Sequence, residues 1–460
     1  MENKPISDHE AAAEETSSAP EKPKRRELPP RTKPGLPARG AALDLLRLTR
    51  RGRSLDEALT ICRSFNDLEG ADRAFARQLA STVLRRQGSL DEVVAAYLDR
   101  PLKANQHELR ALLRLAAAQI VLLEVPPHAA ASTAVDLARE RQELRPFAKL
   151  VNALARRMAE SGADTLEKLP PRVDTPGWLW RRLQRAYGPK KTADMALAHR
   201  QEPPLDMTVK TLADRDGLAV AIGATPVGPI SLRRTMGGRV EELAGYEDGS
   251  WWVQDVAATL PARLAGDIEG KMVYDLCAAP GGKTLQLAAA GAKVTAVDIS
   301  PHRIERLQEN LTRTGLPARV EEADILQWRP REKADVVLLD APCTATGTIR
   351  RNPDLLWQKK EEEVDILSKL QDRMLGHALT LVKPGGLLIF ATCSLLPEEG
   401  ELRVEAALNR HDRLARVPVT PEEVGDLPVI NKDGDIRCLP SLLKDQGGMD
   451  GFFVSRLRVD

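Results

Sequence analysis

The chain has 460 residues, with 67 Lys and Arg against 66 Asp and Glu; at a formal charge of +1, any nucleic-acid site must be a local patch. No apolar run approaches the roughly 18 residues of a membrane span, and the length suggests about three domains. Cys62, Cys277, Cys343, Cys393 and Cys438 are scattered and odd in number, which points to a reducing cytoplasm, and the seven histidines do not pair with them at metal-ligand spacing, so no metal is expected.

Residues 1–35 are rich in Ser, Glu, Pro, Lys and Arg and lack apolar periodicity, so a disordered tail is expected. Met1 to Glu21 is polar and acidic, unlike a signal peptide. Lys22 to Pro34 reads either as a solvated tail or as a contact with RNA phosphate. From 36 to 165 apolar residues recur at helical spacing, as in Leu109, Leu112, Leu113, Leu115 and Ile120, which predicts a small all-α domain with no catalytic constellation. Arg139, Arg141, Arg145, Lys149, Arg156 and Arg157 cluster near its end; an RNA contact and a solvated helix face both fit that group.

A connector is expected over 166–250. Thr175-Pro176 reads as a cap and first helical residue. In the helix after it, Trp178, Trp180 and Tyr187 interleave with Arg181, Arg182, Arg185, Lys190 and Lys191. Such mixing suits base stacking, worth about 1–3 kcal/mol per base, beside phosphate contact. Two Trp residues at spacing two cannot share one helix face, so at least one should serve something other than the core. Short alternating pieces from Leu205 to Trp252 suggest a small α+β subdomain.

The region 251–460 reads as an α/β domain. Val273 to Leu276 is a buried parallel strand, Ala278 to Gly282 a small-residue turn, Thr284 to Ala290 a helix, and Lys293 to Val297 a second strand closing with Asp298. In such a unit glycines let the backbone approach a ligand, the helix N-terminus offers unpaired N–H groups, and the strand-end acid takes a ribose diol. The Gly-Gly-Lys-Thr run resembles the end of a phosphate-binding loop, but Cys277 stands where that motif needs its first Gly, and G-x-G-x-x-G is absent. A nucleoside ligand without phosphates, S-adenosylmethionine foremost, fits better.

Three further strands end in chemistry. Arg319 to Glu322 leads to Asp324, Ala334 to Leu339 to Asp340-Ala341-Pro342-Cys343, and Gly385 to Ala391 to Thr392-Cys393-Ser394. Ligands of open α/β sheets lie at these carboxyl ends. Two cysteines and an acid there suit methyl transfer to a pyrimidine. Carbon 5 is a poor nucleophile until a thiolate adds to carbon 6, and an acid near N3 stabilises the developing charge; the thiol, ordinarily near pKa ~8.5, must lose its proton. These residues alone do not rank the two thiols.

DLCAAPGGKT, VDIS, EEADIL, LLDAPCTATGTIRRNPDLLW, GGLLIFATCSLLPEEGE and MDGFFVSRLR resemble the Sun/Fmu family of S-adenosylmethionine-dependent RNA cytosine-5 methyltransferases. The helical region resembles the NusB-like RNA-binding domain that 16S rRNA members carry ahead of the enzyme. The resemblance implies a NusB-like all-α domain, a small α+β connector and a Rossmann-like class I methyltransferase domain. It further implies that Cys277, Ala278, Ala279, Pro280, Gly281, Gly282 and Lys283 cradle the methionine part of the cofactor, joined by Arg303. Asp298 takes the ribose, Asp324 lies by the adenine, and Asp340 faces the methionine amine and the base. Cys393 is then the nucleophile, Cys343 assists release, and Lys283 also contacts the base. The chain departs from the family at Thr208-Val209-Lys210, where Arg-Val-Asn is usual, at Ala345, where Gly is usual, and at Gly400, where Asn is common. The expectation is a cytoplasmic, monomeric 16S rRNA (cytosine-5)-methyltransferase with S-adenosylmethionine as cofactor. A non-catalytic NusB-like assembly or antitermination factor, and the same chemistry on tRNA, stand as the alternatives.

Overall fold

The computed structural model describes residues 33–235 and 238–460, and the tail expected at 1–35 lies almost wholly outside them. Eight helices come first: α1 (Leu36–Arg50), α2 (Leu55–Ile61), α3 (Arg63–Asn66), α4 (Gly70–Arg85), α5 (Gln87–Ala95), α6 (His107–Val121), α7 (Pro127–Glu140) and α8 (Ala148–Glu167). Their stripes explain the bundle. In α8, Val151, Leu154, Ala155, Met158 and Gly162 are buried, the spacing of one helix face. Local signals set the ends: Ser54 caps α2 by accepting the Glu57 N–H at 3.1 Å. Of the basic group, Arg141 is committed to Asp44 at 2.8 Å and Arg157 to the carbonyl and ring of Tyr97, while Arg139, Arg145, Lys149 and Arg156 are exposed.

The connector opens with α9 (Gly177–His199), broken at Gly188 (φ 76, ψ 171) just before Pro189. Pro176 itself is the cap, in an extended conformation, so the helix begins at Gly177 rather than at the Pro176 expected from the sequence. A small antiparallel sheet comes next, built of β1 (Leu205–Val209), β2 (Thr225–Val227), β3 (Ser231–Arg234) and β4 (Trp251–Val253) in the order β2-β3-β1-β4, with α10 (Arg215–Ile222) against it. This sheet runs three residues past 250.

The remaining elements are α11 (Val256–Arg263), β5 (Met272–Leu276), α12 (Gly282–Ala289), β6 (Lys293–Asp298), α13 (Pro301–Thr314), β7 (Arg319–Glu322), β8 (Ala334–Asp340), α14 (Leu355–Gln358), α15 (Glu361–Thr380), β9 (Val382–Thr392), α16 (Glu401–Arg410), β10 (Leu414–Arg416), β11 (Ile436–Cys438) and β12 (Phe452–Val459). They form one sheet in the order β10-β12-β9-β8-β5-β6-β7, with β11 paired to β12. From β9 to β7 the pairing is parallel, and β12 is antiparallel to β9. Alternation divides the core. Val273, Val336, Leu338 and Ile389 bury on the α11/α12 face, and Tyr274, Leu276, Val337, Leu339 and Phe390 on the α15/α16 face. The chain leaves β5 toward β6 on one side and reaches β8 on the other, so a crevice opens where the strand order reverses.

The three parts are joined by buried polar contacts. Arg85 of α4 donates to the carbonyls of Arg350 (2.7 Å) and His199 (3.3 Å), and Trp357 Nε1 donates to the Leu84 carbonyl at 2.9 Å. Leu179, Leu183 and Met195 of α9 bury against Ile349, Leu356, Leu395 and Leu396. Arg351 bridges Asp255 (2.5 Å) and Asp450 (3.0 Å), tying the segment after Cys343 to the base of α11.

Candidate active site

At the carboxyl end of β5 the chain enters a tight turn. Cys277 adopts φ 62 and Gly281 φ 108, and the Ala279-Pro280 peptide is cis. A Cβ on Gly281 would lie 2.3 Å from Leu307 Cδ1, so helix packing requires glycine there. Gly281 caps α12 without a side-chain acceptor, and the first N–H groups of that helix have no intrahelical partner. Deeper in the turn, Asp275 accepts the Thr284 hydroxyl at 2.6 Å through Oδ2, while its buried Oδ1 has no partner. Burial pushes the Asp275 carboxyl up to about 7. Burial, and then Asp340 and Asp298, likewise raise the Cys277 thiol.

Asp298 ends β6 fully buried. One oxygen accepts the Ala279 N–H and the other the Ser300 N–H, both at 3.0 Å, and Arg303 lies 3.5 Å away with its guanidinium also on the Ala279 carbonyl. Each oxygen keeps a second lone pair, so a diol can be accepted there once the exposed Arg303 moves aside. Asp324, beyond β7, is half-buried and caps its own turn through the Leu326 N–H at 3.0 Å. An uncapped helix start, an unpartnered buried carboxylate oxygen and two strand-end acids fit a ligand with a charged amino-acid end and a ribose end.

The opposite wall comes from β8 and β9. Lys283 reaches across from α12, its ammonium 2.8 Å from Asp340 and 5.1 Å above the Phe452 ring. Burial works to lower the Lys283 ammonium, but Asp340 outweighs it and the net shift is upward. Cys343 and Cys393 come just after adjacent parallel strands and their sulfurs stand 3.5 Å apart. The Cys343 thiol is raised well above its ordinary value, first by its hydrogen bond with Cys393 and then by burial.

Lys283 and Asp340 are thus paired beside the turn after β5, Cys343 and Cys393 meet just past β8 and β9, and Asp298 and Asp324 stand at or just past the ends of β6 and β7. Sequence reasoning missed Glu399 and Gln371, which sit buried behind the thiol loops, and Phe452 over Lys283. Glu399 stood within the PEEG run without a role. The connector reading is corrected in part: Tyr187 is not free to stack on a base, because its hydroxyl donates to the Leu395 carbonyl at 2.7 Å and its ring packs in the core. Arg182 is likewise held by Glu361 and Glu398, and Lys210 by the Thr314 carbonyl. A cavity of about 1090 Å³ lies elsewhere, between the second half of α9 and residues 428–448.

Residues 264–458 match the family model of 16S rRNA methyltransferase RsmB/F, and residues 36–160 match that of the NusB family. Curated proteins of Shigella boydii and Escherichia coli, each named ribosomal RNA small subunit methyltransferase B, are 34% identical over 405 residues, spanning 84% of this chain and 90% of theirs. The chain belongs to the RsmB/F methyltransferase family. Its fold agrees: a crystal structure of PH0851 superposes with a TM-score of 0.72 at 25% identity, covering 93% of this chain and 99% of that one. A methyltransferase homolog from Pyrococcus horikoshii covers 61% of this chain and 94% of its own at a TM-score of 0.52 and 24% identity. An RsmB/F protein is an S-adenosylmethionine-dependent rRNA methyltransferase.

Proposed function

We propose that this RsmB/F member methylates carbon 5 of a cytosine in 16S rRNA through a covalent cysteine–cytosine adduct. The reading divides the chain into a helical RNA-binding part at 36–165, a connector at 166–250 and the enzyme at 251–460, acting as a monomer in the cytoplasm. The observation that carries it is the pair of sulfurs 3.5 Å apart at the ends of β8 and β9, with the Lys283–Asp340 pair at the same end of β8. Bound S-adenosylmethionine supplies an electrophilic methyl group on a sulfonium. Everything else falls to the protein. The N-terminal turn of α12 receives the carboxylate of the methionine part, and Asp298 the ribose, with Asp324 beside the adenine and Asp340 by the amine.

A target base must be unpaired or flipped out to enter, at a cost of a few kcal/mol. Asp340 and Lys283 then hold its N3 edge. Cys393, once its proton has passed to solvent, adds through sulfur to carbon 6, forming a C–S bond and turning carbon 5 into the nucleophile that takes the methyl carbon as that carbon's bond to the sulfonium sulfur breaks. Loss of the carbon 5 proton to solvent re-forms the ring double bond as the bond between Cys393 sulfur and carbon 6 breaks, expelling Cys393 as the thiolate. The Thr-Cys-Ser cysteine is the nucleophile in the family these motifs resemble, which makes Cys393 the attacking sulfur; Cys343, 3.5 Å from it, stands beside the departing sulfur and assists release.

Two variants test this on a small-subunit rRNA transcript. Cys393→Ala should lower turnover by at least about 10³-fold while S-adenosylmethionine still binds; retained turnover sinks the assignment. Cys343→Ala should accumulate a protein–RNA adduct that survives denaturing electrophoresis, and clean release of product would refute its role.

A further inference from the structure

Glu399 takes no part in the methyl transfer, yet its carboxylate is fully buried behind both thiols. Its Oε1 accepts the Thr344 N–H at 2.9 Å and lies 3.3 Å from Gln371 Nε2. Its Oε2 accepts the hydroxyl of Thr344 and that of Ser394, the latter at 2.6 Å. Its own carbonyl accepts the Thr392 hydroxyl at 3.0 Å. Thr344 comes directly after Cys343 in the chain, and Thr392 and Ser394 flank Cys393. One residue thus bonds to both chain neighbours of one thiol and to a neighbour of the other. Filling the space would need only an apolar side chain, and a buried carboxylate is costly unless every oxygen is satisfied, as here. Burial holds its carboxyl above the ordinary range even so, with the hydrogen bonds pulling the other way.

We infer that Glu399 is a positioning residue: it sets the separation of Cys343 and Cys393 by clamping the two thiol-bearing loops through Thr344, Thr392 and Ser394. The catalytic consequence rests on the proposed thiol chemistry, whereas the geometric claim does not. The clamp works by hydrogen bonding rather than by charge. A glutamine can keep its oxygen on the Thr344 N–H and donate from its amide nitrogen to the two hydroxyls, which turn to accept.

The test uses the full chain and three readouts: S-adenosylmethionine affinity, kcat on the rRNA transcript with its pH profile, and cross-linking of Cys343 to Cys393 by dibromobimane, mapped by mass spectrometry. Glu399→Ala should leave cofactor affinity in place, lower kcat about a hundredfold, the scale of a displaced reacting group, and lose the cross-link. Glu399→Gln should recover most of both, with the shape of the pH profile kept. If Glu399→Ala does not fold, Thr344→Val removes one arm of the clamp and should give a partial loss of cross-link and kcat. An unchanged cross-link in Glu399→Ala, or equal loss of cofactor binding and cross-link in the Ala and Gln variants, overturns the proposal. A lost cross-link with full turnover upholds the clamp and sinks the thiol chemistry instead.

Discussion

Lys283 and Asp340 sit 2.8 Å apart with side chains only 11% and 26% exposed, so removing either partner strands the other in a poorly hydrated place. Breaking a pair of this kind costs about 3–5 kcal/mol when fully buried. Lys283→Met should therefore lower the unfolding free energy by about 3 kcal/mol at neutral pH, read by denaturant titration; an unchanged midpoint would show that solvent already screens the pair. Asp340 was placed by pattern, since a near-continuous apolar run puts the next side chains at a strand's carboxyl end, whereas Lys283 was assigned to the site only through the family resemblance. Glu399 was not legible in that way. It reads as one acid among several, and nothing near it in the chain announces that Thr344, fifty-odd residues earlier, supplies its partners. Local periodicity reports which face is buried, and a long-range hydrogen bond leaves no trace in it.

Among the elements, the loop after β8 carries the clearest conformational signature. Ala345 lies at φ 55, a left-handed conformation that costs an L-residue about 1–2 kcal/mol, and the related family usually has glycine there. Ala345→Gly should raise stability by up to about 1 kcal/mol, after the extra chain entropy of glycine is subtracted, without changing cofactor affinity. A fall in melting temperature would refute the strain. Two residues on, Gly347 admits no side chain. A Cβ would come within 2.0 Å of the Gly451 carbonyl oxygen and 2.8 Å of that of Cys393, whose oxygen also accepts the Gly347 N–H. Gly400 is a packing departure of the same kind, with Phe453 and Arg437 where a side chain would go. The parallel strands were readable because both faces are covered, whereas Tyr187 and Arg182 were misread because an aromatic-basic helix looks the same whether it meets RNA or a neighbouring core.

At the scale of the whole molecule, the helical bundle, α9 and the catalytic half meet at His199. It is fully buried, neither ring nitrogen has a hydrogen-bond partner, and Arg85 and Arg350 face it. Burial first, then those two cations, push its pKa down to about 3. A folded value below the unfolded one means stability present above about pH 6.5 and lost as the pH falls through that value toward 3, roughly 2 kcal/mol by pH 5. His199→Leu should flatten the difference between the melting temperatures at pH 7 and pH 5; an unchanged difference would place the acid sensitivity elsewhere. The helical start and the later α/β region were legible from composition and spacing, but this junction was not, because its residues come from segments with no shared pattern.

The segment from Cys343 to Trp357 is fastened at one end beside the sulfurs and at the other beneath the Leu84 carbonyl of the bundle. A tether made fast at both ends has little slack, so a small shift of the bundle reaches the reacting atom. The two halves are bound to diverge together, and a bundle grafted from another protein would have to reproduce that docking face before its new host could turn over.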